Sequence, residues 1–169
     1  MVPTLAPGLY TVHVTSADQR GGVVLVEAYD ARGSDPAARL VNLSVRSHVG
    51  VGERILIVGF VLDGTGPSRV LIRAVGPGLT QFGVPGALAQ PNMAVYRGDQ
   101  LLRTNNSWSG GGVGYDVIGA ARTVAAFPLQ VGSADAGLVL TLEPGAYTVQ
   151  VSGLGQGTGE ALAEIYVLP

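Results

Sequence analysis

His13 and His48 are the only histidines in the chain, and its twelve carboxylates are scattered. Proton transfer near neutral pH commonly falls to a histidine beside an acid, and an activated serine needs the same partnership. Neither histidine has neighbours that suggest it. His13 lies on the polar side of the alternating stretch "GLYTVHVTS" (8–16), where a solvated side chain is expected. His48 follows an apolar run and precedes "VGVG", which reads as a loop position. No G-x-S-x-G elbow is present, and no two histidines stand at metal-binding spacing. Glu27 and Glu164 each sit among apolar residues, two positions before a tyrosine. They read as outward strand positions or sheet-edge contacts rather than as a pair of catalytic acids. Arg46 and Arg73 interrupt apolar strands and are expected to face solvent.

Composition removes further chemistries. All ten basic residues are arginine, so a Schiff-base lysine, a P-loop lysine and a Lys–Asn crosslink are impossible. Cysteine is absent, which removes disulfides and thiolate zinc sites. The net charge is −2 with no basic cluster, so no nucleic-acid partner is expected. The longest apolar run, near "RILIVGFVL" (54–62), is strand-sized, so no membrane span is expected. "MVPTLAPG" lacks both the basic and the apolar region of a signal peptide. "SGGGVG" (109–114) has neither a dinucleotide-binding glycine pattern nor a phosphate-loop lysine. Tyr96, Trp108 and Tyr115 form a small aromatic set that could stack a sugar ring; a tryptophan plugging a core is the stronger reading. No metal, cofactor or catalytic residue is expected.

The elements that would position these residues are short. Hydrophobic residues make up 47% of the chain, and 26 glycines and 10 prolines fall between apolar runs, the pattern of many strands joined by turns. Strands are predicted within 8–16, 22–30, 38–47, 53–64, 68–78, 136–145, 146–153 and 160–168, with a hairpin over 92–108 turning at "GD". That makes about ten strands. The dense apolar content of 53–64 and 68–78 suggests central ones. Residues 79–91 read as a loop. One short helix is predicted over 116–127, with Asp116 as N-cap and Pro128 as terminator. Such a series points to an all-β, jelly-roll-like sandwich.

The strongest sequence signal is internal. "PGLYTVHV" (7–14) returns as "PGAYTVQV" (144–151). At an offset of 137 the match runs without a gap from residue 4 to residue 29, and half of its positions are identical. They include Leu5, Pro7, Gly8, Tyr10, Thr11, Val12, Val14, Gly22, Leu25, Glu27 and Tyr29. Strand register decides which face is buried, so a gapless match implies the same packing role twice. The offset is too long for a solenoid repeat and normal for a domain. The expected organisation is therefore an N-terminal β-hairpin within 1–34, equivalent to the end of a preceding repeat, and a sandwich repeat over 35–169. An old duplication within one ten-strand domain is the alternative. A lone hairpin is marginal in water, so its apolar face needs a cover, in its own chain or in a neighbour.

Residues 39–166 resemble a repeat domain of large secreted proteins from Verrucomicrobia-type bacteria. The marks are "GFVLDGTG", "VLIRAVGPGL", "FGVPGAL", "AAFPL" and "PGAYTVQVSG", together and in order. A weaker resemblance links "MAVYRGDQLLRTNNSW" and "EPGAYTVQVSGLGQGTGEALAEIY" to bacterial pre-peptidase C-terminal domains, which are jelly-roll sandwiches. Asn105, Asn106 and Ser107 stand where that family has an acidic run, which leaves its calcium chemistry without ligands here. The resemblances imply an extracellular, non-catalytic bacterial module. The expected function is structural, by self-association or tandem packing through β-edges, with filaments as one outcome. Tyr10, Val12, Val14, Val24, Val26 and Tyr29 are the expected assembly residues. The alternative is a module that binds a surface glycan through Tyr96, Trp108 and Tyr115.

Overall fold

In the computed structural model, residues 5–18, 20–30, 39–110 and 113–169 are described. The chain divides into two units, Met1–Leu40 and Val41–Pro169. The second unit holds eight strands: β1 (Asn42–Val49), β2 (Leu56–Leu62), β3 (Ser68–Val75), β4 (Pro91–Arg97), β5 (Gln100–Asn105), β6 (Ala136–Leu142), β7 (Gly145–Gly153) and β8 (Gly159–Val167). They form two four-stranded antiparallel sheets, ordered β1-β8-β3-β6 and β2-β7-β4-β5. That order is a jelly roll: each successive connection after the β4–β5 hairpin returns outside the last, as two Greek keys require.

Side-chain alternation packs the sheets face to face. Along β4, Met93 and Val95 point inward, and along β7 so do Tyr147, Val149 and Val151. They meet Val70, Ile72, Ala161, Ala163 and Ile165 from the other sheet in one core. β3 breaks the alternation, because every residue from Val70 to Val75 is buried. The second face of β3 lies under another layer. Leu71 and Val75 pack with Leu79, Trp108, Leu129 and the helix α1 (Gly114–Thr123) through Val117, Ala120 and Ala121. The helix begins at Gly114 with Val113, three residues before the predicted Asp116, as its N-cap, and it ends at Thr123, well short of Pro128. Asp116 remains in its first turn, where a carboxylate favours the helix dipole.

Three expectations are corrected here. β2 and β3 are joined by a short turn but belong to different sheets, and β2 is an edge strand while β3 is interior. His48 lies on β1, not in a loop. Residues 145–167 are not a hairpin: β7 pairs with β2 and β4, and β8 pairs with β1 and β3. The connection at 154–158 turns a corner of the sandwich.

In the first unit, no strand forms among the described residues 5–18 and 20–30, where the N-terminal hairpin was expected. Its apolar side chains are exposed, including Leu9, Val12, Val23, Leu25 and Tyr29. A lone pair of strands is marginal in water.

Candidate functional site

The internal repeat now has a structural meaning. Tyr10, Val12 and Val14 correspond to Tyr147, Val149 and Val151 on β7, which are 3%, 0% and 0% exposed. Val24 and Val26 correspond to Ala161 and Ala163 on β8, both fully buried, and Tyr29 to Tyr166. The same side-chain types that fill the core at one end of the sequence are exposed at the other: Tyr10 is 56% exposed, Val12 74% and Val14 51%.

Local bonds recur with the sequence. Tyr147 donates its hydroxyl to the Glu143 carbonyl at 2.6 Å, four residues back. Tyr10 donates to the Ala6 carbonyl, also at 2.6 Å and four residues back. Tyr166 donates to Glu164 Oε1 at 2.7 Å, and Tyr29 to Glu27 Oε1 at 2.9 Å. Gly159 has a steric reason in the sandwich, whereas its counterpart Gly22 has open space around it. A Cβ on Gly159 would stand 2.6 Å from the Gly86 carbonyl oxygen and 2.8 Å from Leu88 backbone atoms.

Glu164 is buried, which corrects the outward placement read from sequence, and so is Arg73 at 0% exposure. The two meet across the β3–β8 ladder, where they are register partners. Arg73 Nε donates to Glu164 Oε2 at 2.8 Å, and Nη2 donates to the same oxygen. Nη1 donates to the Phe127 carbonyl at 2.6 Å, and the guanidinium lies 4.4 Å from the Phe127 ring centroid. Planar, forked and permanently charged, arginine suits such a site. Burial and the Glu164 hydrogen bond push the Tyr166 hydroxyl up to about 12. In the first unit, the hydrogen bond to Glu27 raises Tyr29 above its ordinary value. Arg46, by contrast, is exposed on β1 as expected.

The conspicuous loop motifs converge on a second buried polar cluster. Asp135, fully buried, accepts from the Gly76 and Gly78 amides through Oδ1 at 2.8 and 3.0 Å. Its Oδ2 accepts from Ser133 Oγ at 2.6 Å, and Ser133 Oγ accepts from Trp108 Nε1 at 3.1 Å. Asn105 Oδ1 takes the Gly137 amide at 2.9 Å and the Ser107 amide at 3.2 Å. "GPG", "SAD" and "NNSW" thus tie loops together inside the protein. Among the described residues, no buried side-chain nitrogen or oxygen is left without a partner.

This placement divides the aromatic set. Trp108 is 2% exposed and belongs to the layer outside β3. Tyr96 is half-buried on the outer side of β4, in the other sheet. Tyr115 is 88% exposed on α1, where it lines a shallow groove of about 350 Å3 with Arg69, Asp116 and Thr123. No face presents the three together, and Trp108 offers no free ring to a sugar. His13 is exposed, and His48 Nδ1 lies 3.3 Å from Glu160 Oε1 in an exposed cross-strand contact. Among the described residues, no three His, Cys, Asp or Glu side chains cluster as a metal site, and no helix is long and apolar enough to cross a membrane.

No family model matches the sequence, and no curated protein matches it. Among solved structures, the fold is similar to the pre-peptidase C-terminal domain of a collagenase from Bacillus anthracis. The TM-score is 0.45 at 9% identity, over 74% of this chain and 89% of that one.

Proposed function

We propose that this chain is a non-catalytic, extracellular structural module that associates with its neighbours by sharing β-strands. One observation carries the reading: the apolar side chains of residues 5–29, exposed here, repeat in register a segment whose inward-facing counterparts are buried in the jelly roll. An exposed apolar surface of this kind marks an interaction site, and added strands are a common way to cover one. The resemblance of 39–166 to a repeat domain of large secreted Verrucomicrobia-type proteins supports the extracellular setting, and the match of 4–29 to 141–166 supports the tandem arrangement. The burial of the motif residues in structural networks supports the absence of catalysis.

Light scattering on a sizing column, with negative-stain microscopy, tests the reading on residues 1–169 and 41–169. The longer chain is expected to form larger or filamentous species and the shorter one to be monomeric. Two monomers would end the self-association reading.

A further inference from the structure

We infer that residues 5–29 are the closing strand pair of a second jelly roll, and that their partner is a neighbouring repeat whose third strand carries a buried arginine for Glu27. The inference rests on the strand-sharing reading above and names the partner it leaves open.

The topology makes the demand specific. β7 lies between β2 and β4, and β8 between β1 and β3. A segment that repeats them is not an edge strand looking for any sheet. It fits one slot in each of two facing sheets, with six strands supplied by the partner. Glu164 shows what its counterpart Glu27 needs: a carboxylate among apolar neighbours on the β8 path, opposite an arginine of the third strand. Glu27 already holds Tyr29 as Glu164 holds Tyr166. A buried carboxylate without its cation is strongly disfavoured, so the partner supplies one.

The same comparison makes a second copy of this body the poorer partner. Its β7–β8 slot is filled by its own chain. The inward sizes along the β8 path are also reversed. This body has Ala161, Ala163 and Ile165, at 0%, 0% and 3% exposure. The N-terminal segment has Val24, Val26 and Ala28 in those places. Added methyl groups would overfill two sites with no space, and the third would be left hollow. The matching repeat has room facing Val24 and Val26 and bulk facing Ala28.

The test places residues 41–140 directly before Thr4, so that the chain supplies six strands in frame ahead of its own closing pair. Hydrogen exchange is read at the amides of 10–14 and 23–29, against the chain of residues 1–169. The expected result is slowing by about 100-fold. Unchanged exchange would overturn the strand-pair assignment. Arg73→Leu in the added strands and Glu27→Gln should each remove most of the protection, and the double variant little more; independent effects would overturn the arginine. V24A/V26A/A28I should increase protection by about tenfold, because this body's slot is shaped for the small, small, large order. No increase would mean that the body already fits the segment and that a second copy is the partner. Light scattering of residues 1–169 fails or succeeds separately, since self-association is not required for the pair to close a neighbouring repeat.

Discussion

Glu164→Gln is the most informative single change in the sandwich. Arg73 is fully buried, and its guanidinium has five N–H donors and no acceptor. Three of its N–H groups are used, two by Glu164 and one by the Phe127 carbonyl. The substitution keeps one acceptor oxygen and removes the countercharge. Breaking a buried pair from one side costs about 3–5 kcal/mol, a large share of the about 5–15 kcal/mol that holds a domain together. Arg73→Leu should cost a similar amount, because Glu164 is then left with Tyr166 as its only side-chain donor. The double variant R73L/E164L should fall within about 2 kcal/mol of the parent, since replacing both charges with apolar groups is often neutral. Urea unfolding followed by Trp108 fluorescence measures this. Trp108 is the only tryptophan and is buried beside β3, so its emission follows the sandwich unit. Single variants that each lost less than about 1 kcal/mol would refute the reasoning, because that is the range of a solvated surface pair.

Other outcomes follow from the same contacts. Asp135→Ala should cost about 3 kcal/mol in urea unfolding, because it strands two buried glycine amides and the Ser133 hydroxyl. Gly137→Ala places a Cβ 3.1 Å from Trp108 Cβ and 3.3 Å from Val117 Cγ1, and should cost about 1–3 kcal/mol with altered Trp108 emission. At high pH the sign follows from Tyr166. Its folded value, raised to about 12, lies above the ordinary 10, so the native state holds the proton more tightly. That contribution is intact below pH 10 and is lost as pH rises toward 12. Tyr166→Phe should flatten the decline in melting temperature over that window.

The strands of the sandwich were legible because their apolar residues alternate between glycine and proline turns, and the β4–β5 hairpin was legible from the "GD" at its tip, where Gly98 takes a left-handed turn conformation. The repeat of 4–29 at 141–166 was legible as a match but not as a shape. Two strands joined by a few residues look alike in sequence whether they pair or cross between sheets, and register partners decide which. Arg73 was misplaced for a different reason. Alternation predicts burial only for a strand with one wet face, and α1 with its loops dries the second face of β3. The cue was present in the unbroken run "VLIRAV" beside a short amphipathic helix, where the arginine needs a partner inside. Asp135 carried no local signal, because its donors Gly76 and Gly78 lie more than fifty residues away.

The interior positions of β7 and β8 also set an order of events during synthesis. A ribosome releases β1 to β6 before either sheet can be continuous, since β1 is joined to β3 only through β8, and β2 to β4 only through β7. Until residues 145–167 emerge, the nascent domain is two open half-sheets with apolar inner faces and raw edges. Contacts this distant in sequence make folding slow, and such intermediates are prone to aggregate. In a row of jelly rolls, each domain would be completed only after about 25 more residues of translation, which at about 5–20 residues per second is a lag of seconds. During that lag, a pair already synthesised, such as residues 5–29, would be the competitor for the open slot, and its different core sizes would count against it.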